Sequence, residues 1–270
     1  MKVGFFYQSA YNYVACYMAL NQLRKIYPNS PVVLYEDNGD ILKEVGDKFN
    51  CVYKKTDVKG KKLTKFMGRS VFDLNTNLAW LKRIYTECKT TLKDVDWIVH
   101  YEDDVWCMRE IKEEPNYDIQ GANGPHYTKE MGDYLAGRYW ESRETRGPYS
   151  DAGSLYSYGA CGGSIFNREK FIQAYENVEH LDWAHMQTLD ERVCKFSDAS
   201  LTFIFQYSNF TYSQWNEFGR YDAKDTGYKM DKSGWSVPLS QQVDCAFLHP
   251  FKHFYNYEKE ELQMALDKEL

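Results

Sequence analysis

The apolar positions of the first hundred residues form short runs typical of buried strands, separated by longer stretches with helical spacing. Residues 2–7, 31–35 and 51–54 predict strands. Between the first two, apolar residues recur at helical spacing over residues 13–27, and Pro28 ends that helix. A strand, a helix and a strand at this spacing predict a βαβ unit, in which a right-handed crossover joins parallel strands.

A second unit of the same kind follows. Apolar residues recur in steps of three and four from Val71 to Cys88 and predict the clearest helix of the chain. It leads into residues 97–101, which are mostly aromatic or β-branched and predict a buried strand. Together the two units predict a Rossmann-like α/β fold, with a mixed, mainly parallel central sheet flanked by helices. No linker divides the chain, so we expect one domain over residues 1–270.

The pattern is weaker after residue 106. Residues 121–160 are rich in Gly and Tyr without a sustained period, which is typical of a lid or binding loop. The alternation of Leu201, Phe203 and Phe205 predicts a strand. The other predicted elements are short strands at residues 117–120, 162–166 and 243–250, and helices that begin at Asn167, near residue 188 and at residue 258.

The composition narrows the classes of partner. Hydrophobic residues make up 43% of the chain, which indicates a globular protein, and the net charge of -6 argues against a nucleic acid as main partner. The seven cysteines are scattered without a C-x-x-C pair, which favours reduced thiols in a cytosol-like compartment. No apolar run approaches the length of a membrane span, and polar residues interrupt the N-terminal run too early for a signal peptide. We therefore expect a soluble, cytoplasmic protein.

Three acids, Glu102, Asp103 and Asp104, directly follow the strand at residues 97–101. Adjacent carboxylates repel each other and are costly to desolvate, so packing does not explain them. Ligands of open α/β sheets bind beyond the carboxyl ends of the strands, and oxygen ligands suit Mg²⁺ or Mn²⁺. The second strand also ends in acids, at residues 36–40. The alternative interpretation is a solvated acidic turn after an edge strand.

Taken in order along the chain, these features resemble the glycosyltransferases of the GT-A fold, which use nucleotide sugars. The βαβ start, the acid-tipped second strand and a D-x-D-type motif, here Glu102-Asp103-Asp104, carry the first half of the resemblance. The second half rests on Gly162-Gly163, Asp190-Glu191 and Phe247-Leu248-His249. The resemblance implies a GT-A-like domain with a nucleotide-sugar donor half at residues 1–106 and an acceptor and catalytic half at residues 107–270.

The resemblance also implies a metal site and a donor site. Asp104 matches the acid that binds Mn²⁺ or Mg²⁺, and His249 matches a C-terminal His that completes the metal shell, although a core His is the alternative. An imidazole ligand favours Mn²⁺.

Glu102 and Asp103 match positions that hydrogen-bond hydroxyls of the donor. The remaining donor positions are Asp37 at the base or ribose, Tyr7, Gln8 and Ser9 in the same pocket, Arg69 and Lys252 near the phosphates, and Gly162 and Gly163. For Asp37 a turn acid, and for Arg69 a solvated helix-start residue, are the alternatives.

Asp190 and Glu191 match the acidic pair that supplies the catalytic base in inverting members of this family. The spacing leaves open which of the two faces the site, and the motif favours Glu191. Capping of the helix by these acids is the alternative, because the helix dipole favours acids in a first turn.

The function implied is that of a metal-dependent hexosyl- or pentosyltransferase. It would move a sugar from a nucleotide sugar to a hydroxyl of a glycan or glycoprotein acceptor, with inversion at the anomeric carbon. A UDP-sugar is the first candidate for the donor. Two alternatives stay open. One is a metal-dependent hydrolase of nucleotides or phosphoesters, and the other is a non-enzymatic carbohydrate-binding protein, which the aromatic content of 17% allows.

Overall fold

The strands and helices alternate along the N-terminal half of the chain. The computed structural model describes residues 1–9, 12–37, 39–56, 63–66, 69–121, 127–138, 162–220, 244–251, 254–255 and 257–267. Its strands are β1 (Val3–Ser9), β2 (Val32–Glu36), β3 (Val52–Lys55), β4 (Leu63–Phe66), β5 (Arg69–Phe72), β6 (Trp97–Glu102), β7 (Trp106–Cys107), β8 (Ile119–Gly121), β9 (Ile165–Asn167), β10 (Tyr212–Gln214), β11 (Phe218–Arg220) and β12 (Phe247–His249). Its helices are α1 (Tyr13–Ile26), α2 (Lys43–Lys48), α3 (Leu74–Lys89), α4 (Lys129–Arg138), α5 (Arg168–Asn177), α6 (Trp183–Leu189), α7 (Glu191–Lys195), α8 (Ser197–Tyr207) and α9 (Leu262–Asp267), the last preceded by a 3₁₀ turn at Lys259–Glu261.

A seven-stranded sheet lies at the centre, in the order β10-β8-β9-β6-β1-β2-β3. β1 pairs in parallel with β2 on one side and with β6 on the other, so that Tyr7 lies between Leu34 and Tyr101. β9 is antiparallel to both of its neighbours, β6 and β8. The prediction of a mixed, mainly parallel sheet flanked by helices is therefore confirmed, and the arrangement is consistent with a Rossmann-like fold.

Each face of the sheet has its own apolar core. Because side chains alternate along a strand, Val99 and Tyr101 of β6 face the core that contains α1, while Ile98 faces the core that contains α3, α5 and α8. His100 lies on the same face as Ile98, and its ring is in edge-to-face contact with Trp80 of α3 at 5.2 Å between centroids. The end of β6 therefore brings a polar side chain between the sheet and α3.

Side-chain caps fix where several helices begin. Asn167 accepts a hydrogen bond from the Lys170 amide at 3.0 Å, which confirms the predicted cap of α5. The prediction of a helix from Val71 is wrong at its start, because Val71 belongs to β5. Asp73 caps α3 instead, since its carboxylate accepts from the Thr76 amide at 2.7 Å.

The strand predicted from Leu201, Phe203 and Phe205 is also wrong, because these residues lie in helix α8. Every residue from 199 to 206 is buried, including Thr202 and Ile204, which alternation would have placed on an opposite face. A helix buried on all sides carries apolar residues all round, and its sequence then imitates the alternation of a strand.

Two further predictions concern the middle of the chain. Residues 121–160 include a helix, α4, where the sequence predicts irregular structure; residues 122–126 and 139–161 lie outside the described part. The helix predicted to begin near residue 188 is two short helices, α6 and α7, that meet at Asp190. None of the helices in the described ranges combines the length and the apolarity that a bilayer crossing requires.

Candidate functional site

A cavity opens at the carboxyl ends of β1, β2 and β6, the three neighbouring parallel strands of the sheet. Its lining includes the two residues that end β1, the residue after β2, and the acidic tripeptide at the end of β6. Trp80 of α3, Ser197 of α8 and Tyr255 of the C-terminal segment complete the described wall. The lining residues are Gln8, Ser9, Asp37, Trp80, Glu102, Asp103, Asp104, Ser197 and Tyr255. This edge is where open α/β sheets bind their ligands.

Glu102, Asp104 and His249 form a candidate metal centre at this cavity. One ligand atom from each lies within 4.8 Å of the others. His249 Nε2 is 3.4 Å from Asp104 Oδ1 and 3.9 Å from Glu102 Oε2. The pairing of β12 with β7 brings His249 back to the acids, because Leu248 lies opposite Trp106. Two carboxylates and one imidazole suit Mn²⁺ better than Mg²⁺.

Gly162 makes room for this group. A Cβ atom at Gly162 would lie 2.5 Å from Glu102 Oε2 and 3.1 Å from His249 Cδ2. Gly163 follows with φ of 87°, in the left-handed region that favours glycine, and its amide donates to the His100 carbonyl at 2.7 Å. The resemblance implied that both glycines contact the donor. The structure places Gly162 against the candidate metal ligands, where a larger residue would displace Glu102 or Val105.

Asp103 faces away from these ligands and ties β6 to β1. Its carboxylate accepts hydrogen bonds from Tyr7 Oη and Ser9 Oγ, each at 2.7 Å. Burial raises the pKa of Asp103 to about 7, although both hydroxyls favour the charged form. Tyr7 is fully buried with its hydroxyl engaged here, so the structure places it beneath the cavity and not among the described lining residues.

Asp37 belongs to a network at the other end of the cavity. Its carboxylate accepts hydrogen bonds from the Gln8 amide and from Thr56 Oγ1, the latter at 3.1 Å. Arg83 Nη2 lies 3.8 Å from Asp37 Oδ1 and donates to Gln8 Oε1 at 3.4 Å. This guanidinium is 14% exposed and stacks near the Tyr35 ring. Arg83 therefore holds Gln8 and Asp37 in fixed orientations at the cavity wall.

The turn after β2 explains why Asp37 faces the cavity while Glu36 does not. Glu36 is fully buried and accepts hydrogen bonds from the amides of Ile41 and Leu42, each at 3.1 Å. Tyr53 Oη donates to the same carboxylate at 2.7 Å. The first acid of the predicted acidic tip is thus structural, and the second is presented to the cavity.

Two titratable residues beside the candidate metal centre were not predicted. His100 is 1% exposed, its Nε2 lies 3.5 Å from Glu102 Oε1, and neither ring nitrogen has a hydrogen-bond partner among the described residues. Burial lowers the pKa of His100 to about 4, so the ring is neutral at pH 7. Asp198, in the first turn of α8, interacts with Glu102, His100 and His249, and burial raises its pKa to about 6.

Tyr255 is a residue of the cavity wall that was not predicted from the sequence. Asn12 Nδ2 donates to the Tyr255 carbonyl at 3.2 Å, and the neighbouring Phe254 packs on Trp106 at 5.6 Å between ring centroids. Burial raises the pKa of Tyr255 far above its ordinary value, so its hydroxyl stays protonated. The C-terminal segment therefore closes one side of the cavity.

The structure does not bring Asp190 and Glu191 to the cavity wall that it describes. Asp190 is buried and accepts hydrogen bonds from the amides of Thr128 and Arg192 at 2.8 and 3.0 Å, and from two nitrogens of the Arg192 side chain. Glu191 is exposed and pairs with Lys195 at 2.7 Å. These are the contacts of a helix cap and of a surface ion pair, the alternative that the sequence had left open.

The described part of the structure does not place at the donor site either of the two positively charged residues predicted there, Arg69 and Lys252. Arg69 lies in strand β5 and not at a helix start, and its side chain is outside the described part. Lys252 also falls outside the described residues. The cation that the described structure does place behind the cavity wall is Arg83.

Neither a scan against models of protein families nor a search of curated proteins found a match to this chain. The assignment of a function therefore rests on the geometry of the cavity.

Replacement of Gly162 by Ala tests the candidate metal centre. The added methyl group meets Glu102 and His249, so we expect the affinity for Mn²⁺, measured by calorimetry, to fall by about tenfold or more. Gly137→Ala is the matched control, because a Cβ there meets no atom of the described residues within 4 Å. Wild-type affinity for Mn²⁺ in Gly162→Ala would contradict the assignment of Glu102 and His249.

The neutral state of His100 predicts a specific pH dependence. Unfolded His100 takes up a proton near pH 6.5, whereas the folded protein resists protonation until about pH 4, so stability falls as pH drops through this interval. Compared with His100→Phe in metal-free buffer, the wild type should lose up to about 3 kcal/mol of unfolding free energy between pH 7 and 4. Protonation of Asp103 has the opposite effect, because its raised pKa stabilises the folded state as pH falls. Asp103 is present in both proteins, so its contribution cancels in the comparison. A pH-independent difference in urea unfolding would contradict the prediction.

Proposed function

We propose that this protein is a metal-dependent glycosyltransferase. It moves a sugar from a nucleotide sugar, with UDP as the first candidate, to a hydroxyl of a glycan or glycoprotein acceptor with inversion at the anomeric carbon. The observation that carries the proposal is the convergence of Glu102, Asp104 and His249 beside a cavity at the carboxyl ends of parallel strands.

The charge of the cavity supports dependence on a metal. Asp37, Glu102, Asp103 and Asp104 line it, and the lining residues of the described part include no Lys or Arg. A diphosphate would be repelled by these carboxylates unless a cation accompanied it. Glu102, Asp104 and His249 would hold that ion, and when bound it neutralises charge on the departing diphosphate.

The other residues have tasks that follow from their contacts. Asp37, fixed by Gln8 and Arg83, can accept hydrogen bonds from the hydroxyls of a ribose or sugar. Trp80 and Tyr255 provide apolar surface that excludes water around the reacting carbon. Asp103 is committed to Tyr7 and Ser9 and keeps the end of β6 against β1. The donor is thereby oriented between a hydroxyl-binding end and a metal-binding end.

Thermal melting with UDP-sugars tests the proposal. A ligand that binds the folded state raises the melting temperature, and we expect this rise only when Mn²⁺ is present. Asp104→Ala should abolish both the rise and sugar transfer while leaving the melting temperature of the free protein unchanged or higher, because a repelling carboxylate is removed. His249→Ala should lose less, and excess Mn²⁺ should restore part of the activity.

The exposed Asp94→Ala is the control for the loss of a carboxylate. Near-normal transfer by Asp104→Ala with Mn²⁺ would refute the metal assignment. Donor turnover that needs no acceptor, at a rate unchanged by added sugars, would favour a hydrolase. Binding of glycans without binding of any nucleotide would favour a carbohydrate-binding protein.

A further inference from the structure

The proposed transfer needs a carboxylate base, and the two acids that the sequence predicted for this role, Asp190 and Glu191, are engaged elsewhere. An acceptor hydroxyl becomes a competent nucleophile when a base within hydrogen-bond reach takes its proton. Asp190 already accepts four hydrogen bonds, and Glu191 is held at the surface by Lys195. Neither is one of the described lining residues of the cavity, and neither is next to one in the sequence. The base must therefore be sought among the acids that surround the cavity.

Most of those acids are already engaged. Asp103 is bound by two hydroxyls, and Asp37 is held by Gln8, Thr56 and Arg83. Glu102 and Asp104 belong to the candidate metal centre, where a bound cation would suppress their basicity. Each of these carboxylates has a task that competes with accepting a proton from the acceptor.

Asp198 differs from all of them in its contacts. In the described structure its carboxylate accepts one long hydrogen bond, from Ser197 Oγ at 3.4 Å. Ser197 lines the cavity, whereas Asp198, the next residue of the eleven-residue helix α8, is partly exposed and is not itself among the described lining residues. The carboxylate also interacts electrostatically with Glu102, His100 and His249. Asp198 is thus weakly tied, lies in the first turn of α8, and is hydrogen-bonded to a residue of the cavity wall.

His100 adds an independent observation at the same place. Its imidazole is almost fully buried, lies next to Glu102, and interacts electrostatically with Asp198. Both ring nitrogens are without a hydrogen-bond partner among the described residues. Buried nitrogens usually have hydrogen-bond partners, and here water or a polar group of a ligand can supply them. Glu102 and Asp198 thus both interact with the same buried imidazole.

We propose that Asp198 is the catalytic base of the transfer reaction, an inference that rests on the proposed function. The proton of the acceptor hydroxyl moves to a carboxylate oxygen of Asp198. The acceptor oxygen forms its bond to the anomeric carbon while the bond from that carbon to the diphosphate oxygen breaks. The nucleoside diphosphate leaves with the electron pair, and Asp198 then returns its proton to water. No oxidant, reductant or further reactant is required.

Asp198→Asn tests the assignment. We would measure release of nucleoside diphosphate from UDP-glucose, UDP-galactose, UDP-N-acetylglucosamine and GDP-mannose with Mn²⁺, both in water and with a panel of methyl glycosides. The turnover number of Asp198→Asn should fall by about a hundredfold or more. Its affinity for UDP with Mn²⁺, measured by calorimetry, should stay within about threefold of wild type, because the base acts only as the acceptor attacks.

Asp182→Asn is the matched control. Asp182 caps α6 through the His185 amide at 3.0 Å, so this variant makes the same chemical change at another helix start. It should retain wild-type turnover. If Asp198→Asn is poorly folded, Asp198→Ala with added formate replaces it, because a small carboxylate in solution can restore a missing base but not a missing structural contact.

Three results would overturn the assignment. The first is wild-type turnover in Asp198→Asn. The second is a loss of UDP and Mn²⁺ binding in that variant as large as its loss of turnover. The third is a turnover that falls in Glu191→Gln but does not fall in Asp198→Asn. Failure of the proposed function is distinguishable from these results. In that case the wild-type protein would release no nucleoside diphosphate from any of the nucleotide sugars. The assignment of Asp198 as a base would then fail as well.

Discussion

The repulsion between the carboxylates of Glu102, Asp103 and Asp104 is the constraint on which the rest of the site depends. Three adjacent acids at the end of a buried strand are tolerated only when each is compensated separately. Asp103 turns inward and is bound by Tyr7 and Ser9. Glu102 and Asp104 turn toward His249, at a place where Gly162 leaves room. The neighbouring strands and the C-terminal segment are thus arranged around one acidic turn.

The two acids at the end of β2 are also divided between a structural role and the cavity. Glu36 is buried and satisfied by backbone amides and Tyr53, whereas Asp37 is presented to the cavity and oriented by Gln8 and Arg83. At both strand ends one acid stabilises the turn and the acid beside it is available to a ligand. The two strand ends lie on either side of β1, so their available carboxylates share one cavity. This geometry suits an extended ligand with hydroxyls at one end and phosphates at the other.

The sequence predicted the parts of the fold that local pattern determines. The first βαβ unit, the strand before the acids and the Asn167 cap were predicted because each has a periodic pattern or a local hydrogen bond behind it. Helix α8 was missed because burial on all sides makes its sequence resemble an alternating strand. That error also hid Asp198, since no helix start was expected at residue 197.

The candidate site was predicted where its residues end predicted strands, at residues 8–9, 37, 102–104 and 249. Glu102 and Asp104 stand out in the sequence, but the packing of α3 and β6 places Arg83 against Asp37 and His100 against Glu102, and the C-terminal segment brings Tyr255 into the cavity wall. Asp190 and Glu191 are predicted site residues that the structure does not place among the described lining residues of the cavity. Acids in the first turn of a helix are favoured for stability wherever the helix lies, so their position did not distinguish a catalytic base from a cap.

Pulsed electron paramagnetic resonance of bound Mn²⁺ tests the central claim most directly. Protein labelled with ¹⁵N-histidine, saturated with Mn²⁺ and UDP, should show a nitrogen coupling from one directly bound imidazole, and His249→Gln should lack it. The same sample should show phosphorus coupling from the diphosphate. Bound Mn²⁺ with phosphorus coupling but no histidine coupling, or with a coupling that persists in His249→Gln, would contradict the account.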